Sequence, residues 1–321
     1  MLPIEPFDKT QPDNQTMPKE RFKADLALFS VSLIWGIAFV VQRIAAAEIG
    51  PFLFNGFRFL LGAVVLVPVA KWGKLNNSDL RINREIHKKD LFRIFLVGMF
   101  LFCGSALQQV GLKYTTAGNA GFITGLYVVW IPFILAIAWR KQLQPLIWIA
   151  AFLSALGLYL LSTGGKMSWN TGDILVLVSS VFWALHVIFI GIFVQDVGVI
   201  RLAIGQYLVC GMVSIVIGLN YELNTLPALI QDWWVVVFTG IISVGLGYTL
   251  QAIGQRVAPP ADAAILLSME AVFAALFGWW ILGEKLAPLQ LVGCGIIFIG
   301  ILLAQSDKFM SIVYPKIKNP Q

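Results

Sequence analysis

Charge is scarce in this sequence. Only 12% of its 321 residues are Asp, Glu, Lys or Arg, about half the share of an ordinary soluble domain. Histidine is scarcer still, at two, and the three cysteines (Cys103, Cys210 and Cys294) each stand alone inside an apolar run. With no CxxC and no Cys/His cluster, a zinc site or a disulfide framework has no donors, and no metal or cofactor is expected. Paired carboxylates and His/Asp sets are also missing. That leaves little for one alternative, a membrane-embedded enzyme acting on a lipid or prenyl group. No GxxxxGK[ST] occurs, so a P-loop ATPase is excluded. The 23 basic residues form no continuous stripe, which argues against a nucleic-acid partner.

What is there is apolar. Hydrophobic residues make up 58% of the chain, and the mean hydropathy is +0.81. A helix needs about 20 apolar residues to cross a bilayer. Ten such runs can be read, at roughly 24–45, 51–70, 90–112, 117–138, 143–162, 172–195, 199–219, 232–255, 260–282 and 286–305. They are too long for barrel strands, which run to about ten residues with strict alternation. The expected fold is therefore an all-α polytopic membrane protein. The first run lacks a cleavage signature and reads as a retained span. Residues 1–23 and 306–321 read as polar tails, the first of them disordered. Asp90, Asp173, Asp232 and Asp262 fall near span starts, where a carboxylate can cap free N–H groups. Pro51, Pro145, Pro260 and Pro288 fall where a first-turn proline is harmless.

Orientation follows from the basic residues. Arg58 and Arg93 lie within spans, Arg43, Lys113, Lys166 and Lys285 fall on one side, and the other 17 fall on the side of the N-terminus. The positive-inside rule then puts both termini in the cytoplasm, and for a bacterial chain the membrane expected is the plasma (inner) membrane.

The chain also repeats itself. Residues 104–162 slide by 143 positions without a gap. Gly104, Leu107, Gln108 and Gly111 fall on Gly247, Leu250, Gln251 and Gly254, and Pro145 falls on Pro288. Earlier spans match at an offset of 148: Ser32 and Trp35 fall on Ser180 and Trp183, and Arg58 on Gln206. Spans 1–5 (24–162) and 6–10 (172–305) thus read as two copies of one unit. Five is odd, so the second copy enters the membrane inverted. Inverted repeats supply a pseudo-twofold axis and a site at their interface that can open to either side.

The run from Leu267 through Glu270 to Trp279, continuing into Leu282-Gly283-Glu284 and then Gln290, Gly293 and Gly300, resembles the last two spans of the EamA family in the drug/metabolite transporter superfamily. Trp35-Gly36 and the stretch from Gly111 to Tyr127, with Ala117-Gly118-Asn119-Ala120-Gly121, are similar too. The resemblance covers all ten spans. It implies ten helices around a central cavity, and export of small metabolites such as amino acids. Arg140-Lys141 stand where the second half has Gly283-Glu284, a departure from the fuller pattern.

Charged residues deep in a span are costly and face the bundle interior or a wet cavity. Glu270 is the leading candidate: it could bind a substrate ammonium or carry a coupling proton, or be a buried acid paired with Arg58 or hydrogen-bonded to a hydroxyl. The repeat sets Tyr127 at the matching position. Arg58 could meet a substrate carboxylate, or lock helix ends or Glu270. His186 could titrate with transport, or be held by a backbone carbonyl. Trp35 and Trp183, repeat equivalents at mid-depth, could wall the cavity or simply pack helices. Gln108, Gln251, Asn119 and Tyr248 could hydrogen-bond a solute or one another. Gly121 and Gly125 read as a close-packing GxxxG, and Glu284-Lys285 as a cap on its own outer turn. The expectation is a secondary transporter, with protons as a candidate coupling ion and a passive channel as a further alternative. A monomer suffices, and a dimer is compatible.

Overall fold

A computed structural model describes residues 18–72, 86–163, 170–285 and 287–313. The tail residues 1–17 and 314–321, and Lys166 in a connection, lie outside them. Among the described residues the protein is all-helical. Its elements are α1 (Pro18–Glu48), α2 (Pro51–Trp72), α3 (Lys88–Gly111), α4 (Ala117–Gly125), α5 (Tyr127–Ala138), α6 (Pro145–Thr163), α7 (Thr171–Val197) and α8 (Val199–Tyr221). After a short 3-10 turn follow α9 (Leu226–Gln231), α10 (Trp233–Phe238), a π-helical segment (Thr239–Tyr248), α11 (Thr249–Gln255), α12 (Pro260–Leu267), α13 (Met269–Leu282) and α14 (Pro288–Val313). α1 starts at Pro18, more than a turn before the apolar run at Ala24.

Helix ends follow local chemistry. Each of the four prolines is the first residue of its helix, where its missing N–H would have had no partner. Asp90 and Asp173 close capping boxes with His87 and Asn170. Asp232 makes no capping bond, because the chain there turns directly from α9 into α10. Asp262 instead accepts from Arg21 of α1 at 3.2 Å.

Eight helical stretches are long and apolar enough to cross a membrane: Lys19–Glu48, Pro51–Ala70, Lys88–Gly111, Ala117–Ala138, Thr171–Val197, Val199–Tyr221, Trp233–Gln255 and Pro260–Leu282. Two shorter apolar stretches, Pro145–Leu160 and Pro288–Leu303, accompany them. Large apolar side chains such as Ile137, Phe152 and Trp280 point outward, as lipid-facing residues do. Inside, small residues let backbones approach closely. Gly56, Gly211 and Gly218 line the contact of α2 with α8, and Gly157 lies against Gly293 and Ile297 where α6 meets α14. Gly121 sits against Ala274 of α13, and Gly125 against Leu158 of α6.

The helices pair across the two halves of the chain. α2 packs on α8, α6 on α14, α4 on α13, α3 on α7, and α1 on the π-helical segment and α11. Two membrane stretches each carry a one-residue turn near the middle, with the backbone still right-handed helical. α4 gives way to α5 at Leu126 (φ −62, ψ −10), and α12 to α13 at Ser268 (φ −60, ψ −16). These turns stand beside Tyr127 and Glu270.

Candidate functional site

A small cavity lies at the centre of the bundle, lined by Trp35, Phe39, Gln42, Gln108, Thr124, Tyr127, Trp183, Val187, Ser243, Tyr248, Gln251 and Glu270. Its volume is about 30 Å³, room for a water or two. Both halves of the chain contribute: α1, α3, α4 and α5 from the first, and α7, the π-helical segment, α11 and α13 from the second.

Aromatic rings make the walls. Tyr248 lies 4.6 Å from Trp35, centroid to centroid, and stacks on Trp183 at 6.0 Å with 12° between planes. Each indole is seated on a glycine of the other half. A Cβ at Gly247 would stand 2.8 Å from Nε1 of Trp35, and one at Gly104 would stand 3.2 Å from the ring of Trp183. These two glycines are the pair related by the 143-residue offset, and the two indoles are the pair related by 148. Each indole N–H is occupied. Trp183 Nε1 donates to Gln108 Oε1 at 2.7 Å, and Trp35 Nε1 to the Ser243 carbonyl at 3.3 Å.

The polar pole of the cavity is Glu270, 2% exposed. The Tyr127 phenol lies against its carboxyl. Neither the Tyr127 hydroxyl nor Oε1 of Glu270 has a partner in hydrogen-bonding geometry. The pairing of Glu270 with Arg58, one of the readings left open by the sequence, is not formed among the described residues; the polar group beside Glu270 is the Tyr127 hydroxyl.

Seven of the ten residues singled out from the sequence therefore line one cavity: Glu270, Tyr127, Trp35, Trp183, Gln108, Gln251 and Tyr248. Three do not. His186 stands one layer back: its Nε2 is 2.7 Å from Gln206 Oε1, and its ring lies 5.9 Å from that of Tyr248. Its partner is a side-chain amide, not a backbone carbonyl. Arg58 is buried behind Tyr248, with its guanidinium 5.0 Å from the ring centroids of Phe54 and Phe59. Asn119 lies in the first turn of α4, where it lines a separate pocket of about 310 Å³ with Thr116, Gly118, Ala275, Glu284, Lys285 and Gln290.

The sequence reading missed Phe39, Gln42, Thr124, Val187 and Ser243. Four lie one or two helical turns from a residue that was found: Phe39 and Gln42 from Trp35, Thr124 from Tyr127, Val187 from Trp183. Ser243 lies five residues before Tyr248, a spacing that faces the same way only in a π-helix.

Two carboxylates tie the halves together at one end of the bundle. Glu222, after α8, accepts from the backbone N–H groups of Phe52 and Leu53 at 2.9 and 2.8 Å. Glu284, after α13, has its carboxyl between its own helix and the start of α4: a Cβ at Gly278 would stand 2.6 Å from its Oε2, and one at Gly118 3.5 Å. Acids at helix N-termini satisfy free donors and complement the dipole. Partial burial pushes both carboxyls above the ordinary value. The backbone donors offset part of this, as do Lys113 at Glu222 and Arg43 at Glu284. At the opposite end, ion pairs do the tying. Arg21 bridges Asp25 and Asp262, and Arg93 bridges Asp90 and Asp196.

With this geometry in view, the likeness to known proteins is decisive. The chain matches the EamA-like transporter family over residues 22–163 and again over 170–305. It belongs to that family. An uncharacterized transporter of Archaeoglobus fulgidus is 32% identical over 288 residues, 88% of this chain and 86% of that one. The uncharacterized inner membrane transporter YedA of Escherichia coli is 25% identical over 298 residues, 91% of this chain and 93% of its own. A crystal structure with 18% identity superposes with a TM-score of 0.71 over 92% of this chain and 99% of its own, which shows a shared fold. This EamA-like protein is a multi-pass integral membrane protein. It is a transporter of small molecules rather than an enzyme.

Proposed function

We propose that this EamA-like protein is a secondary transporter that exports small metabolites, amino acids among them, by alternating access around the central cavity. Ten helices would cross the membrane as two inverted five-helix repeats (24–162 and 172–305), α4–α5 and α12–α13 each forming one span. The termini would lie in the cytoplasm and the bundle in the plasma membrane. Protons are the candidate coupling ion, and one chain carries the whole device.

One observation carries the reading: the cavity is built from matched residues of both halves of the chain. Tyr127 and Glu270, repeat equivalents, meet in its wall. The pairing of α2 with α8, α6 with α14 and α4 with α13 is what a pseudo-twofold axis between inverted repeats would give. A volume of about 30 Å³ is far below the roughly 300 Å³ of a small-molecule site. A buried carboxyl with no cation beside it gains by taking one, either a solute ammonium or a proton.

The test is transport in proteoliposomes loaded with a mixed pool of amino acids and related metabolites, with depletion followed by mass spectrometry. It would be run with and without a pH gradient, and repeated with Glu270→Gln. Selective depletion that the variant loses is the expected result, and dependence on the gradient would add proton coupling. Depletion unchanged in Glu270→Gln would remove that carboxyl from the site. No depletion of any solute would overturn the transporter assignment for these classes.

A further inference from the structure

We propose that Arg58, behind the ring of Tyr248, forms a second subsite that takes the anionic end of the solute, a carboxylate in the first instance. The inference rests on the transporter reading and names the substrate class: dipolar solutes with a cationic end for Glu270 and an anionic end for Arg58.

Arg58 is 3% exposed. It makes no hydrogen bond and no ion pair among the described residues, and Nε is sealed without a partner. Its neighbours are the faces of Phe54 and Phe59, each at 5.0 Å. The titratable groups in electrostatic reach are Tyr248 and Cys210, and neither is an anion at neutral pH. A guanidinium stays protonated in proteins, so it cannot shed its charge to suit these surroundings. Ring faces offset only part of what burial costs a cation. An arginine that merely locked helix ends would bond to carbonyls or to a carboxylate. This one does neither, and it makes no ion pair with Glu270.

A second unsatisfied group points the same way. Asn55 lies one turn earlier on the same face of α2, fully buried, with neither Oδ1 nor Nδ2 bonded. It is a neutral donor placed beside an unpaired cation, a pairing that suits an oxyanion.

Tyr248 decides what can reach them. It lines the cavity on one side and lies in electrostatic reach of both Arg58 and Glu270. The core therefore holds a positive and a negative side chain that are not paired with each other. Such an arrangement is spent on a ligand that carries both signs. Tyr248 closes the π-helical segment Thr239–Tyr248, a backbone form that recurs where helices change register at working sites. Movement of that ring would join Arg58 to the cavity and enlarge a space now too small for any amino acid.

The experiment uses the full chain in lipid nanodiscs and reads the thermal midpoint against concentration of glycine, leucine and acetate, each compared with glycinamide or leucinamide. The acids should raise the midpoint, with the amides at least tenfold weaker. Arg58→Gln should lose the response to the acids while its own midpoint without ligand stays level or rises, since an unpaired buried charge has gone. Arg58→Lys should keep part of the response. Three results would overturn the subsite. One is amides as effective as acids on the unaltered protein, a comparison that needs no variant to fold. Another is an acid response intact in Arg58→Gln, and the third is no response to any carboxylate. If proteoliposomes move a solute without an acidic group, equally in Arg58→Gln, the transporter stands and the subsite falls.

Discussion

Gly247 lies so close to Trp35 that a β-carbon there would stand 2.8 Å from the indole nitrogen. Real Cβ contacts do not come this near, so either the ring or the π-helical segment must move. Gly247→Ala should therefore displace Trp35 from Tyr248, lower transport several-fold, and destabilise the fold by about 1–3 kcal/mol, as overpacking does. Gly104→Ala, with 3.2 Å to Trp183, should do less. Transport rates and thermal midpoints of the two variants, measured side by side, check the order.

Trp183 and Gln108 share a 2.7 Å hydrogen bond in the cavity wall. A double-mutant cycle on Trp183→Phe and Gln108→Leu should yield a coupling of about 0.6 kcal/mol, and at most roughly 1.7, the range for hydrogen bonds between membrane helices. Unfolding in mixed micelles supplies the four stabilities. Additive losses would mean that the bond contributes nothing.

Glu222 and Glu284 set a pH dependence for their end of the bundle. Both carboxyls sit above the ordinary 4.5, with burial as the first cause. An acid raised by folding contributes stability that is whole below its ordinary value and is lost as pH climbs through the raised one. That end should loosen between mildly acid and neutral pH. Hydrogen exchange of the peptides covering Phe52, Leu53, Ala117 and Gly118, corrected for the intrinsic rate, should quicken over that window. Glu222→Gln with Glu284→Gln should flatten the profile, and a slope surviving in the double variant would assign it elsewhere.

Arg140 has φ of 50 and Gly283 has φ of 69, at positions related by the 143-residue offset. The left-handed turn costs a non-glycine residue about 1–2 kcal/mol, of which glycine's own entropy returns up to about 1. Arg140→Gly should therefore stabilise the fold by up to about 1 kcal/mol, and Gly283→Ala should destabilise it by a similar amount. Thermal midpoints in one detergent decide both.

The helices were legible because each long apolar run has a single way to satisfy its backbone in lipid. The cavity was legible where a residue type is out of place at its depth. A carboxyl at Glu270 and indoles at Trp35 and Trp183 announce themselves in a leucine-rich run. Arg58 and His186 drew notice by the same signal, but depth along a helix does not say which way a side chain faces, and both stand a layer behind Tyr248. Asn119 lies only two residues into α4, so it belongs to the end of the bundle. Thr124 and Phe39 are ordinary residues in such runs and become visible only by stepping a turn from a neighbour. Ser243 stayed hidden for a different reason: its step to Tyr248 is five residues, and no α-helical wheel places those two together. The Gly-Glu pair at 283–284 and Arg-Lys at 140–141 look unlike as sequence, yet both halves make the same left-handed turn.

The π-helical segment occupies one half of the chain only, since its counterpart α3 is α-helical throughout. On the proposed alternating-access reading, interchangeable halves would present the same resistance from either face, whereas a wider-wound helix in one half would make the two strokes unequal. Without a coupling ion, kcat/KM must still be equal in both directions. The asymmetry can then surface only as unequal half-saturation on the two faces, with a matching inequality in maximal rate. Such a carrier rectifies: it fills readily from one compartment and empties readily into the other, without any change in where the gradient finally settles.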